Sequence, residues 1–489
     1  MKFGIMKRQL SKNIISNILQ VLISTILMFV LYRYLSKKLG VEDLGVWAVV
    51  MAIASASRIA DLGMTVSITK FVASSIAKKQ LEEAGEIVET GVITFIIAVP
   101  VLLLILYPVI IWGIEIIFIK NGLSKAMEIL PFAILTFYLT MITSIMQSGL
   151  DGCQKMGIKA SIIIIIQILY VLIALILVDS YGLNGLVWAQ VVQGILLVII
   201  NWYFLRLTFV KNSIVPIRWK KELFIKILKY GSNIQIGSLM MIFFDPLTKG
   251  LLAKYGGLSA AGYFEIANQV VSKARSLIIV ANQAIVPKIS QMSETSEGKI
   301  ADIYIINMRL LILSIMPIFG LMIMLSGVFS NIFLGIYEEQ FILFFNISAI
   351  AWGINTMSGA AYFVNIGTGK VSMNTIGNIL MGFFNGFIGW KMGEVYGAKG
   401  VILTYSTALM VGSVFLIWRF HVTNNIKLRD ICIKDFKKLS IACILLSQLG
   451  FISQNLNISF FYIVPSAVFL VLYIFYLIWI NPLKNTVFN

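Results

Sequence analysis

Charge is scarce in this chain of 489 residues: Asp, Glu, Lys and Arg make up 12% of it, against 59% hydrophobic. A soluble protein of this length could not hide that much apolar surface, so the composition defines a polytopic membrane protein. Histidine is limited to His421, at the end of an apolar segment. That excludes a multi-histidine zinc site and a Ser-His-Asp triad with alternatives to choose from, and His421 is read as a helix-end residue near the interface. Cysteine is limited to Cys153, Cys432 and Cys443, whose spacing suits neither a metal site nor a disulfide framework. No GxxxxGK[ST] stretch is present, which excludes a P-loop-driven pump. Acid is rarer than base, 22 residues against 39, for a formal net charge of +17. In a membrane protein that excess reflects basic cytoplasmic loops. No basic stretch is interleaved with aromatics on a soluble domain, so nucleic acid is not an expected partner.

What is there is a series of apolar runs. A span needs about 20 such residues, and on that rule the chain divides into about fourteen transmembrane helices. Pro100, Pro108 and Pro131 are expected to interrupt helices 3 and 4. The N-terminus, MKFGIMKRQLSKNIISNILQ, is basic and then apolar and lacks a small-residue cleavage site, so it is read as an uncleaved first helix. With the N-terminus inside, the lysine-rich segments such as 206–229 and 419–438 fall inside, and the outer loops are short. The positive-inside rule therefore places both termini in the cytoplasm.

The two halves repeat. Shifting the first by 215 to 217 residues lays Asn17 on Asn233, Arg33 on Lys249, Gly40 on Gly256, Gly45 on Gly262 and Arg58 on Arg275. The same shift lays Gly152 on Gly367, Lys155 on Lys370, Gly182 on Gly397 and Gly185 on Gly400. Helices 1 and 7 both start inside, so the repeats are parallel, related by an axis along the membrane normal. The expected organisation is an N-lobe of six helices (1–206), a basic cytoplasmic linker (207–229), a C-lobe of six helices (230–422), and two further helices with the tail (423–489). In the linker, Trp219, Leu223, Ile227 and Leu228 recur at helical spacing opposite lysines, which predicts an interfacial amphipathic helix.

Charges at membrane depth cost several kcal/mol unless they meet a partner or a watery cavity, so they are the candidate functional residues. They concentrate on helices 1, 2, 7 and 8. On helix 8, Glu265, Asn268, Ser272, Arg275 and Asn282 share one helical face; on helix 7, Gln235, Ser238, Asp245 and Lys249 share another. Pro246 follows Asp245, so helix 7 is expected to kink or break there. Arg58 and Arg275 are repeat-equivalent and lie about 6 Å from their helix centres, at 1.5 Å per residue. A guanidinium binds phosphate bidentately and stays charged, which makes both candidates for an anion site; the competing reading pairs Arg58 with Asp61 and Arg275 with Glu265. Lys249 is a further candidate, against snorkelling to the outer interface. Arg33 lies near the outer end of helix 1, facing away from the stripe Asn13, Asn17, Gln20 and Ser24. Lys273, two residues from Arg275, only partly shares its face. Asp245 and Glu265 are placed to neutralise these cations, or to titrate or bind a cation and couple transport to an H+ or Na+ gradient. Asp61 either joins them or shapes a turn.

The stretches KLGVEDLGVWAVV (38–50), RIADLGMTVSITKFVA (58–73), KYGGLSAAGYFEIANQV (254–270) and YGLNGLVWA (181–189) resemble the bacterial polysaccharide-biosynthesis flippases. These are O-antigen-flippase-like members of the multidrug/oligosaccharidyl-lipid/polysaccharide exporter superfamily. The resemblance covers nearly the whole chain. It implies an all-α fold with a cavity between two six-helix lobes, alternating access in the bacterial cytoplasmic membrane, no cofactor and no covalent chemistry. The implied cargo is an undecaprenyl-pyrophosphate-linked glycan, with other polysaccharide-assembly proteins as possible partners. On that reading Arg58, Arg275, Lys249, Arg33, Lys273, Asn268 and Ser272 contact the head group, and Asp245, Glu265 and Asp61 balance charge or couple. A lipid II flippase would share the span count and the pyrophosphate logic. A cation-coupled drug exporter usually has twelve spans and an acidic cavity. A polymerase or ligase uses large outer loops with catalytic Arg or His, which this chain lacks.

Overall fold

A computed structural model of the chain describes residues 2–55, 58, 61–118, 122–209, 216–235, 239–283 and 298–431. The expected helices 13 and 14 lie outside these residues. All the regular structure described is helical. The N-lobe holds α1 (Lys2–Ser55), α2 (Met64–Ala77), α3 (Leu81–Ile117), α4 (Leu123–Gly152) and α5 (Met156–Thr208). A short helix, α6 (Lys221–Gln235), leads to α7 (Leu239–Ile242) and α8 (Phe244–Gln283). The remainder is α9 (Gly298–Met324), α10 (Ser326–Leu334), α11 (Glu339–Met357), α12 (Gly359–Gly367), α13 (Ser372–Phe383), a π-helical turn (Phe384–Ile388), α14 (Gly389–Thr423) and α15 (Leu428–Ile431). Among the described residues, seven helical stretches are long and apolar enough to cross a membrane.

Several of these stretches are hairpins. In α1, α5, α8 and α14 the helical path is interrupted at Gly40, Gly182, Gly257 and Gly397, each with positive φ. The arms on either side pack against each other. Tyr32 and Trp47 bring their rings to 6.1 Å across the first turn, and Gln193 donates to Gln167 across the second at 3.1 Å. A side chain with a Cβ is disfavoured at such φ values, which is why glycine stands at the turns.

The turns also expose the repeat. Gly40 (φ 79, ψ 168) and Gly257 (φ 82, ψ 170) share one conformation. Gly182 (φ 55, ψ −130) and Gly397 (φ 60, ψ −144) share another. The first pair corrects the register read from sequence: Gly40 matches Gly257, not Gly256. Tyr32, rather than Arg33, thereby becomes the counterpart of Lys249. The lobes cross at this place. A Cβ on Gly45 would run into the Leu258 carbonyl, and one on Gly262 into the Val41 carbonyl, which is the same contact seen from each repeat. Such close backbone approach is what small residues permit between membrane helices. Gly45→Val is therefore expected to destabilise the protein by about 1–3 kcal/mol, read as a lower melting temperature in detergent. Gly113→Val, where a Cβ meets nothing within 4 Å, is expected to leave it unchanged.

One expectation about helix interruption is corrected, and another, the break of helix 7, holds. Pro100, Pro108 and Pro131 sit inside uninterrupted helices α3 and α4. Neighbouring helices can satisfy the backbone groups that proline frees at membrane depth. The path breaks instead in the second span at Leu62 (φ 45) and Gly63 (φ 72), which are both left-handed. Helix 7 is interrupted at Phe243, just before Pro246. Pro246 lacks the N–H that the Ile242 carbonyl would accept in a continuous helix. The buried Asn385, in the π-helical turn, holds the start of α8 by donating to the Phe244 carbonyl at 2.8 Å. The linker helix begins at Lys221, and Leu223 and Ile227 are buried against protein rather than turned to a membrane surface.

Candidate functional site

Inside the C-lobe one lysine bridges two carboxylates. Lys249 Nζ lies 2.7 Å from Asp245 and 2.6 Å from Glu265. Asp245 and Lys249 are one helical turn apart on α8, and Glu265 comes from its other arm after the Gly257 turn. Glu265 also accepts from Tyr32 Oη at 2.7 Å and from Gln269 at 2.9 Å. Tyr32 belongs to the N-lobe, so this carboxylate ties the lobes together. Asn268 extends the network: it donates to Asp245 at 3.2 Å and accepts from Trp352 at 2.9 Å and Tyr405 at 3.2 Å. Burying several charges is tolerable because each has a partner of opposite sign and further hydrogen bonds.

Arg275 stands apart from that network. Its guanidinium stacks on the Trp352 ring at 4.5 Å and donates to Asn355 Oδ1 at 3.1 Å. The expected alternative, a pair with Glu265, is not formed, because Lys249 occupies that carboxylate. Lys273 lines a small void with Phe29, Tyr32 and Phe333. Ser272 caps its hydroxyl on the Gln269 carbonyl of its own helix. Asn282 accepts from Asn307 at 2.8 Å. Thus the polar face of α8 meets protein along its length.

The N-lobe differs. Arg58 is exposed in the break of the second span and lines a cavity of about 440 Å³. The cavity walls come from α2, α4 and α5, and Ile242 of α7 closes one side. The competing Arg58–Asp61 pair is not formed: Asp61 instead caps α2, accepting from Thr65 N at 3.2 Å and Thr65 Oγ1 at 2.8 Å. Lys159, which also lines the cavity, pairs with Asp151 at 2.6 Å. Among the described residues Arg58 therefore has no carboxylate partner, and it lines the cavity.

The structure brings Asp245, Lys249, Glu265 and Asn268 into one cluster and Arg58 and Asp61 into another. Arg275 does not line the Arg58 cavity, and Arg33 is exposed on the bundle. The side chains of Asn13 and Gln235, and Ser238 as a whole, lie outside the described residues. One cluster escaped the sequence reading. Glu89, fully buried, receives Arg218 from the linker through its backbone N–H at 3.0 Å and its guanidinium at 2.9 Å. Lys220 pairs with Glu86 at 2.7 Å, and Trp219 donates to Thr94 at 3.1 Å. The signal for this strap is the i, i+3, i+4 row of acids Glu82, Glu83, Glu86 and Glu89 on α3, complementary to the linker's basic run.

Two pseudo-symmetric helical lobes, with polar groups gathered at their interiors, define a multi-pass membrane transporter. The chain belongs to the polysaccharide biosynthesis protein family, whose model matches residues 10–293. A curated relative, "Putative O-antigen transporter" of Shigella flexneri, is 21% identical over 426 residues, covering 84% of this chain and 97% of that protein. Among solved structures, the lipid II flippase MurJ in an inward closed conformation superposes with TM-score 0.70 at 14% identity, covering 96% of this chain and 98% of that one. An inward-facing multidrug resistance MATE transporter of the MOP superfamily gives 0.64 at 14% identity, covering 82% and 94%. The fold is that of MOP-superfamily transporters.

Proposed function

We propose that this protein flips an undecaprenyl-pyrophosphate-linked oligosaccharide from the inner to the outer leaflet of the bacterial cytoplasmic membrane. Both termini face the cytoplasm in this reading. The observation that carries it is Arg58: a guanidinium at membrane depth, free of any carboxylate partner among the described residues, opening on a polar cavity. A pyrophosphate is the ligand whose charge and geometry such a group matches. The lipid tail stays in the bilayer while the head group crosses between lobes, and rocking of the lobes alternates access. Asp245 and Glu265 hold Lys249 in a cluster with one surplus negative charge. That surplus suits protonation or cation binding, and so coupling to an H+ or Na+ gradient. Other polysaccharide-assembly proteins are the natural partners that supply and receive the lipid.

Competition distinguishes this reading from its rivals. Purified protein is incubated with a labelled undecaprenyl-pyrophosphate oligosaccharide, and unlabelled lipid II or a cationic drug is added. The oligosaccharide is expected to be displaced by its own unlabelled form at least about tenfold more effectively than by either rival, a difference of ~1.4 kcal/mol. Stronger displacement by lipid II or by the drug overturns the substrate assignment.

A further inference from the structure

The two repeats use the same scaffold around their arginines and fill it differently. On the repeat register, Arg58 corresponds to Arg275, and on α4 Phe137 and Thr140 correspond to Trp352 and Asn355. In the C-lobe those positions complete the site: Trp352 stacks on the guanidinium and Asn355 accepts from it. Further along, the C-lobe has the bulky Tyr362 and Phe363, and Phe363 is buried. The N-lobe has Gln147 and Ser148 there, and the space stays open as the cavity of about 440 Å³. That volume lies within the range of small-molecule sites, about 300–1,000 Å³.

The chemistry of the wall says what fits. Thr140 donates its hydroxyl proton to the Thr136 carbonyl, Ser144 to Met141 and Ser148 to Ser144, at 2.8, 2.6 and 2.8 Å. With those protons spent on their own helix, the three oxygens present lone pairs to the cavity. Asp151 Oδ1 is buried and has no hydrogen-bond donor among the described residues, since Lys159 takes Oδ2. An acceptor-rich wall with one buried carboxylate oxygen lacking a donor, and with the charge of that carboxylate balanced by Lys159, calls for a neutral ligand rich in hydroxyl donors. Arg58, at the same cavity, offers donors and a positive charge.

We infer that the N-lobe cavity is a two-part subsite in which Arg58 takes the phosphate and the α4 wall takes the hydroxyls of a neutral sugar ring attached to it. The inference rests on the flippase reading and deepens it: the sugar nearest the pyrophosphate is held in the N-lobe alone, where Gln147 and Ser148 stand at the positions that the bulkier Tyr362 and Phe363 hold in the C-lobe. Selectivity for a hydroxylated, uncharged first sugar then resides in Gln147, Ser148 and Asp151.

The C-lobe supplies the test. Binding to the detergent-purified full chain is measured for two short-chain polyprenyl diphosphates, one bare and one carrying a neutral disaccharide. Wild type is expected to bind the glycosylated probe about tenfold more tightly, equivalent to ~1.4 kcal/mol. The double variant Q147Y/S148F installs the C-lobe's residues and is expected to abolish that preference. Its affinity for the bare diphosphate stays within about twofold of wild type, which also reports a folded protein. Q147A, which removes an amide without adding bulk, is expected to lose part of the preference. Equal wild-type affinity for the two probes, or a preference that survives Q147Y/S148F, overturns the subsite while leaving the pyrophosphate site standing. Failure of wild type to bind either probe overturns the flippase reading and the subsite with it.

Discussion

Arg58→Ala lowers the flipping rate of an undecaprenyl-pyrophosphate oligosaccharide by about 10- to 100-fold in proteoliposomes. The magnitude follows from losing charge-assisted hydrogen bonds worth about 1.5–3 kcal/mol. Because Arg58 is exposed and has no carboxylate partner among the described residues, its removal is expected to leave the fold intact, with stability within about 0.5 kcal/mol of wild type. Arg58→Lys keeps the charge but not the fork of donors, and is expected to fall between the two. Arg275→Ala behaves differently although the residues are repeat-equivalent. Its guanidinium is committed to Trp352 and Asn355, so the loss registers chiefly as a lower melting temperature. A flipping rate unchanged by Arg58→Ala would show that the head group is held elsewhere.

Lys249→Ala has the largest expected effect on stability. The ammonium is buried and lies within 2.7 Å of two carboxylates. Removing it leaves Glu265 buried with only Tyr32 and Gln269 as partners, and strands a carboxylate pair of like sign. Breaking a buried ion pair in this way costs about 3–5 kcal/mol. The double replacement Lys249→Met/Glu265→Gln removes both charges and is expected to cost clearly less than the single change. Thermal unfolding in detergent measures both. A single variant as stable as wild type would mean that Lys249 is solvated, as a snorkelling lysine is, rather than paired.

These contrasts show how much could be read before any coordinates. The apolar spans and the repeat were legible because each leaves a local mark: apolar length and a nearly constant offset. The one-residue error at Gly40 arose because Gly256 and Gly257 are adjacent and only backbone conformation tells them apart. Membrane-depth charges were legible as a set, but not their pairing. Helical spacing placed Glu265 and Arg275 on one face of α8; it could not show that Lys249, across the Gly257 turn, reaches Glu265 first. The prolines of α3 and α4 misled because propensity rules for water do not carry into a packed bundle. The break at Leu62 and Gly63 has no proline to announce it. Asp61 and Thr65 mark a helix start there, three residues beyond Arg58, and that cap is what commits Asp61 to Thr65 rather than to Arg58. The N-lobe cavity itself was invisible in a single repeat. It emerges from the comparison of Gln147 and Ser148 with Tyr362 and Phe363, once the register is known.

The most direct test of the flippase reading is the leaflet distribution of a fluorescent undecaprenyl-pyrophosphate oligosaccharide in liposomes carrying the wild-type protein. Accessibility of the label to a membrane-impermeant quencher is followed over time with and without imposed H+ and Na+ gradients. The account predicts that the protein moves the lipid into the opposite leaflet faster than protein-free liposomes do. A time course indistinguishable from protein-free liposomes under every gradient, from protein that is folded and inserted, would contradict it.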